Sequence, residues 1–332
     1  MNKFKYYFIL LITTITLFSC TKDPEVFVPV PAREFAVQYA TDIADIEEYL
    51  KTYYIEDVNP DVVTKISKIP TGGNQSSIWT YLNSATFPKL ISRDVLRNGI
   101  TYKLYYVVLR EGTGVSPTST DAVLTAYRGE YLSRTKVAEV NTLGATFFEE
   151  VISTLQFLEL PTLQVKWGEV FPEFKTGTYA SNPDGTISYS NFGAGILFFP
   201  SGLGYYAQGN NSIPAYAPLV FSIKLYEINR LDADKDGIFN YLEDLDGDKY
   251  MTNYSNPLIY PTPLSDAIRY ADDTDRDGIP NFQDTDDDGD GVSTRTEITG
   301  PNGVLFPFDA IPSCDGNTTD PARKKRHLVK CN

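Results

Sequence analysis

Histidine and cysteine are almost absent from this chain of 332 residues, which contains one His and three Cys. The histidine is His327, and two of the cysteines, Cys314 and Cys331, also lie near the C-terminus. A serine or cysteine nucleophile in the body of the chain therefore has no histidine to act as its base, and a zinc site made of His and Cys cannot form there. Any chemistry between residues 21 and 313 must work without these two residue types.

A basic surface is missing as well. The chain has 29 Lys and Arg against 43 Asp and Glu, which gives a net charge of −14. Most of this excess is local, because residues 232–297 hold 18 of the acidic residues and five of the basic ones. Nucleic-acid binding needs a basic face that meets the phosphates, so we expect no nucleic-acid partner.

The chain begins with two lysines and an apolar run over residues 6–18. This pattern is typical of a secretory signal and is too short for a stable membrane span. The run ends in LFSC, residues 17–20, which resembles a lipobox, where a small residue precedes a cysteine that is acylated before cleavage. The resemblance implies a signal peptide over residues 1–19 and a mature chain held in a membrane by acyl chains on Cys20. An ordinary signal peptide followed by a chance cysteine is the alternative.

Export of this kind sets the expected location and the state of the other cysteines. We expect an outer-membrane lipoprotein whose body faces the periplasm or the cell surface. Because such a compartment is oxidising, a disulfide between Cys314 and Cys331 is the default expectation.

Residues 20–97 are expected to form a tether and a helical region. Between about Arg33 and Tyr54 the apolar residues recur at helical spacing. They are Val37, Ile43, Ile46, Leu50 and Tyr53. Such a helix can be a cap packed on the next domain or an arm that joins two copies of the chain, so a homodimer through this helix is one expectation. The turn-rich residues 55–95 predict no role.

From about residue 100 the apolar pattern changes to a period of two, which indicates half-buried antiparallel strands. The alternating positions are Tyr102, Leu104, Tyr106 and Val108, then Leu219, Phe221, Ile223 and Leu225. Asp184-Gly185 predicts a hairpin turn, and residues 165–177 predict one short helix. Together these patterns predict an α+β fold in which an antiparallel sheet wraps on a short helix.

Four segments of this region resemble, in order and spacing, the FKBP-type peptidyl-prolyl cis–trans isomerases. They are TAYRG (125–129), WGEVFPEFKTG (167–177), FPSGLGYY (199–206) and IPAYAPLVFSIKL (213–225). The resemblance implies an FKBP-like isomerase domain over residues 98–229. It also implies proline-containing polypeptides as partners, here the X–Pro bonds of exported proteins during folding.

The same resemblance implies a pocket for the prolyl ring. Trp167 would be the floor of this pocket, and the Tyr205 hydroxyl would donate a hydrogen bond to the substrate carbonyl. The walls would be Tyr127, Phe157, Leu163, Ile213 and Phe221.

Two positions depart from the family pattern. The family's Phe-Asp pair corresponds to Phe148-Glu149 if residues 130–146 contain an insertion. Without that insertion it corresponds to Val137-Ala138, and the polar member is lost. The family's Val-Ile pair before the tryptophan reads Leu163-Gln164, which keeps the backbone N–H but weakens the apolar wall.

The implied reaction suits a chain that lacks His and Cys. The X–Pro amide is held planar by resonance, with a barrier of about 18–20 kcal/mol. A dry aromatic pocket favours the twisted amide, so catalysis is differential binding of that state, without a nucleophile or a base. A domain of the same type that binds without isomerising, used for adhesion or scaffolding, is the alternative.

The acidic segment contains three twelve-residue loops of the EF-hand calcium type, in which alternate carboxylates converge around a turn at a glycine in position 6. The expected ligands of the first loop are Asp232, Asp234, Asp236, Ile238 through its carbonyl, Asn240 and Glu243. Those of the second are Asp273, Asp275, Asp277, Ile279, Asn281 and Asp284. Those of the third are Asp286, Asp288, Asp290, Val292, Thr294 and Glu297.

A further stretch over residues 244–255 begins like these loops but has Lys249 and Ser255 where a glycine and an acid belong. The dense spacing of the loops resembles thrombospondin type 3 repeats, which implies structural calcium in an irregular region over residues 230–300. Residues 301–332 would be a tail closed by the disulfide. A solvated, disordered acidic linker is the alternative, although the recurring glycines argue against it.

Overall fold

The structure is a computed structural model, and it describes residues 31–137, 140–153 and 155–331. The signal segment and Cys20 lie outside these residues, so the lipobox prediction is not addressed by the fold. The described residues form a mixed α/β arrangement dominated by antiparallel strands. The helices are α1 (Phe35–Thr52), α2 (Asp266–Arg269) and α3 (Thr294–Glu297). The strands are β1 (Tyr53–Ile55), β2 (Ile66–Lys68), β3 (Lys89–Arg97), β4 (Ile100–Arg110), β5 (Ala122–Val137), β6 (Val140–Val151), β7 (Phe157–Glu159), β8 (Thr178–Ser181), β9 (Ile187–Ser190), β10 (Gly193–Phe199) and β11 (Leu219–Asn229).

The main sheet has seven strands in the order β3-β4-β10-β11-β5-β6, with β7 on the same edge of β5 as β6. All neighbouring strands are antiparallel. The sheet begins at Lys89, before the boundary predicted at residue 98. β8 and β9 form a separate hairpin, and Gly185 takes a positive φ of 85° at its turn, at the predicted position.

One face of the sheet carries the alternating residues that the sequence places together. All eight of these residues of β4 and β11 lie in one hydrophobic cluster with Trp167, Phe171 and Phe174. The segment 165–177, predicted as one helix, is instead two 3₁₀ turns, Trp167–Glu169 and Phe171–Glu173. Because Pro172 has no N–H to donate to the preceding turn, the α-helical hydrogen-bond ladder is interrupted there.

The other face of the sheet is covered by α1, so the central strands are buried on both sides. Ile46, Tyr49 and Leu50 of α1 are fully buried against it. The prediction of half-buried strands is therefore wrong for β4, where Tyr105, Val107 and Leu109 belong to this second core. Of the two predictions for α1, the packed cap is what the structure shows. The homodimer through this helix stays a prediction, although Ile46 and Leu50, two of its apolar residues, are buried within the chain.

The predicted insertion at residues 130–146 extends a hairpin. β5 and β6 remain paired as far as Val137 and Val140. Leu132 and Leu143, each 1% exposed, join the second core under α1. Arg134 of the extension forms an ion pair with Asp45 of α1 at 2.6 Å. The extension and α1 thus stabilise each other above the same face of the sheet.

The acidic region is irregular, as predicted, with short 3₁₀ turns beside α2 and α3. Its own apolar cluster has only Ile238, Ile298 and Ile311 as fully buried members. A disulfide joins Cys314 to Cys331. No described helix combines the length and the apolarity that crossing a membrane requires.

Candidate functional site

A cavity of about 130 Å³ opens beside Trp167 on the first face of the sheet. The elements around it are β5, β6, β7, β11 and the turns before and after Trp167. Its lining residues are Tyr127, Phe148, Glu149, Leu158, Leu163, Gln164, Val165, Trp167, Tyr205 and Phe221. Eight of these residues belong to the ten that the motif resemblance implies.

Trp167 is held at the cavity by aromatic neighbours on several sides. Its ring meets those of Tyr127 and Phe221 edge to face, each at a centroid distance of 5.0 Å, and stacks on Phe171 at 5.3 Å. Such contacts fix the ring in one orientation. Only 4% of Trp167 is exposed, so the indole forms the inner wall of a dry aromatic site.

Tyr127 and Glu149 form the polar edge of the cavity. Burial, the negative charge of Glu149 and a hydrogen bond to its carboxylate raise the pKa of Tyr127 to about 12. The neutral phenol is thus kept as a donor across the physiological pH range. Glu149 is exposed on the rim, which leaves its carboxylate in contact with solvent.

The pair Phe148-Glu149 lies where the insertion alternative puts it. The Phe148 ring packs on Phe221 at 5.7 Å and lies so close over Gly129 that a Cβ at that position would overlap it. This contact explains why the last position of TAYRG is a glycine, which has no Cβ. Ala138 of the other alternative lies outside the described residues, as does the Val137 side chain, although the backbone of Val137 ends β5.

Two residues that the resemblance implies do not line the cavity. Phe157 is 47% exposed, and its neighbour Leu158 faces the cavity instead. Because side chains alternate along β7, one position decides which of the two points inward. Ile213 is 1% exposed within the core and does not reach the cavity. Val165 was missed, although its place two residues before Trp167 could have indicated it.

Gln164 supports the loop that carries Tyr205. Its side-chain amide donates to the Gly204 carbonyl at 2.9 Å. Lys166 adds a second tie, because its backbone N–H donates to the Leu203 carbonyl at 2.9 Å. The departure from the family's apolar pair at this position therefore fastens two cavity-lining segments together.

The three predicted calcium loops share one backbone geometry. In each loop the position-1 carboxylate accepts from the N–H of position 6, position 3 from that of position 5, and position 5 from that of position 7. The glycines at position 6 have φ values of 107°, 100° and 92°. In each loop, one oxygen from each of the first three ligands lies within 4.8 Å of the others.

The side chain at position 9 accepts a hydrogen bond within its own loop. The Asn240 and Asn281 side-chain oxygens accept from the N–H of position 2 in their own loops, each at 2.9 Å. The Thr294 hydroxyl accepts from the same position of its loop at 3.1 Å. These hydrogen bonds hold each loop closed, and the ligand role predicted for position 9 stays a prediction. At position 12, Glu243 and Glu297 are buried and Asp284 accepts from Asp286 N–H at 2.9 Å.

The stretch at residues 244–255 repeats the same geometry despite its departures. Lys249 takes a φ of 72° at position 6, and its N–H donates to Asp244 as a glycine would. Asp244, Asp246 and Asp248 cluster like the other triads. Asp272 lies beside them in place of an acid at Ser255, and it accepts from Leu245 N–H at 2.9 Å.

The carboxylates of the loops fit a hard divalent cation. Burial and neighbouring carboxylates raise the pKa of Asp234 to about 7. Oxygens of Asp234, Asp236, Asp286, Asp288 and Glu297 are buried without a hydrogen-bond partner. Calcium takes six to eight oxygen ligands and would supply the charge that these oxygens lack.

The family models and the solved structures that match this chain point to different relatives. The family model that matches is BamM C-terminal, over residues 233–321, about a quarter of the chain. The acidic region thus matches a family other than the thrombospondin type 3 repeats that its spacing resembles. The search of curated proteins found no match.

Among the solved structures that match are a peptidyl-prolyl cis–trans isomerase from Pseudomonas syringae pv. tomato and FkpA from Escherichia coli. The first is 19% identical, covers 48% of this chain and 100% of its own, and gives a TM-score of 0.29. The second is 22% identical, covers 38% of this chain and 48% of its own, and gives a TM-score of 0.27. These TM-scores are too low to support an argument about function, so the proposed function rests on the geometry of the cavity.

Proposed function

We propose that this chain is a peptidyl-prolyl cis–trans isomerase of the FKBP type that acts on X–Pro bonds of exported polypeptides. The observation that carries the proposal is the aromatic cavity over Trp167, in which Tyr127, Phe221 and Tyr205 meet beside a wall of apolar side chains. The motif resemblance supports it independently, because it implies the same surroundings for the tryptophan.

The cavity offers the contacts that a twisted prolyl amide needs. Apolar and aromatic walls take the prolyl ring and keep water from the amide, whose carbonyl becomes less polar as conjugation is lost. The Tyr205 hydroxyl and backbone N–H groups would fix the flanking carbonyls. Contacts that are stronger in the twisted state than in the planar state lower the barrier, so no nucleophile or base takes part.

Exchange spectroscopy by NMR on an X–Pro peptide tests the proposal. Trp167→Phe keeps an aromatic core but removes part of the floor, and we expect it to lower kcat/KM about tenfold, equivalent to about 1.4 kcal/mol. The matched control is Trp79→Phe, because Trp79 packs on Tyr105 in the second core, away from the cavity.

If the wild-type chain does not make the exchange faster than it is in buffer, the proposed isomerase activity is contradicted. Peptide binding without faster exchange would favour the alternative, an FKBP-like module that binds or scaffolds without catalysis. Equal exchange rates for the wild type and both variants would show that the activity does not depend on the cavity.

We also propose that calcium orders the acidic region and that acylated Cys20 anchors the chain in the outer membrane. The convergent carboxylates with buried, unpartnered oxygens support the calcium. The LFSC ending supports the anchor, and the match of the acidic region to BamM C-terminal agrees with that location. Calcium has a structural role here, because the catalytic step needs no metal.

A further inference from the structure

Asp287 occupies a position that the calcium-loop pattern leaves without a role. It is the second residue of the loop over residues 286–297, where positions 1, 3, 5, 7, 9 and 12 supply ligands. The side chain is nevertheless only 1% exposed. Its backbone N–H donates to the Thr294 hydroxyl at 3.1 Å, which fixes the position of the residue in the loop.

The Asp287 carboxylate meets two acids of the first loop. One oxygen each of Asp236, Glu243 and Asp287 lies within 4.8 Å of the others. Asp236 and Glu243 are each 2% exposed. Both oxygens of Glu243 and both of Asp287 are buried and have no hydrogen-bond partner. Three carboxylates from two distant loops thus converge on one point that offers them no donor.

Such a cluster needs a positive charge at its centre. Taking a carboxylate out of water costs several kcal/mol unless a partner compensates. No Lys or Arg of the described residues forms an ion pair with any of the three, and Arg295 acts on Asp236 only through its charge at longer range.

We propose that Asp287 is a cation ligand which the third loop contributes to the site of the first loop. The site then consists of the Asp232–Asp236 carboxylates, Glu243 and Asp287, so one ion joins segments that are more than forty residues apart in the chain. The inference rests on the proposed calcium binding and adds a ligand that no loop pattern assigns. The first and third loops therefore fold around a shared ion as one unit.

Calorimetric titration of the full chain with calcium tests this assignment. We expect Asp287→Asn to weaken one calcium site at least tenfold and to leave the others unchanged. Glu243→Gln should weaken the same site, and the double variant should lose that one ion only. The control is Asp266→Asn, which makes the same charge change at an exposed residue outside every carboxylate cluster.

Thermal melting gives a second readout, because the effect of Asp287→Asn on the melting temperature should differ in sign between chelator and calcium. In chelator, Asp287→Asn should melt at or above the wild type, because it replaces one of three crowded buried carboxyl groups with a neutral amide that can donate to the other two. In calcium it should melt below the wild type, because a ligand is lost. A titration identical to that of Asp266→Asn would overturn the assignment while leaving calcium binding intact, as would variants of Asp287 and Glu243 that remove different ions. A wild-type chain that takes up no calcium would overturn both proposals.

Discussion

Trp167 and its immediate neighbours are the part of the site that the sequence predicts best. The motifs predict Trp167, Tyr127 and Phe221 because each of these residues lies inside one of the four segments that resemble the family. Phe157 was predicted wrongly for the cavity lining because a shift of one residue along a strand turns a side chain to the other face. β7 has only three residues, so its alternation gives too little pattern to decide between Phe157 and Leu158.

Glu149 should control the ionisation of Tyr127. We expect Glu149→Gln to lower the pKa of Tyr127 from about 12, because the substitution removes a negative charge and replaces a charged acceptor with a neutral one. Burial is the largest cause of the shift and is retained, so the pKa should stay above the ordinary value of about 10. Titration by NMR of tyrosine labelled at the ζ carbon measures this change.

The neighbouring Glu150→Gln is the control for that titration. Glu150 follows Glu149 in β6, pairs with Arg128 of the neighbouring strand β5 and is not among the cavity-lining residues. An equal fall in the Tyr127 pKa in both variants, or no fall in Glu149→Gln, would show that the Glu149 carboxylate does not contribute to the raised pKa.

At the scale of elements, α1 does more than cover the sheet. Its buried Asp42 accepts hydrogen bonds from the N–H and the hydroxyl of Ser201 at 2.7 and 2.6 Å, and from Gln38 at 2.6 Å. Ser201 begins the loop that carries Tyr205. The sequence predicts α1 from its periodicity but not this contact, because nothing local links two residues so far apart in the chain.

Asp42→Ala should therefore destabilise the chain. The substitution leaves the buried N–H and hydroxyl of Ser201 without an acceptor, which should lower the free energy of unfolding by about 1–3 kcal/mol. Glu48→Ala in the same helix removes one partner of an exposed ion pair with Arg134 and should cost about 0–1 kcal/mol. Urea unfolding measures both, and a cost for Asp42→Ala no larger than that for Glu48→Ala would contradict the role given to the Asp42–Ser201 contact.

The whole molecule combines two parts that are stabilised by different forces. The sheet has two extensive apolar cores, whereas the apolar cluster of the acidic region has three buried members and the region is closed by one disulfide. The parts meet where Arg230 pairs with buried Asp121 and where Tyr250 donates to Glu173 at 2.7 Å. The apolar periodicity of the sequence predicts the sheet. Only the spacing of carboxylates and glycines predicts the acidic region, because its residues repeat by ligand position and not by burial.

Removal of calcium should therefore unfold one part and spare the other. With chelator, we expect calorimetry to show a separate early transition for the acidic region, since an apolar cluster this small cannot hold closely packed carboxylates together. The transition of the sheet should stay close to its original temperature, because none of the described residues beyond Leu225 belongs to its cores. Added calcium should restore a single profile. A melt that chelator leaves unchanged would contradict calcium as the stabilising ion, and a simultaneous loss of both parts would contradict their independence.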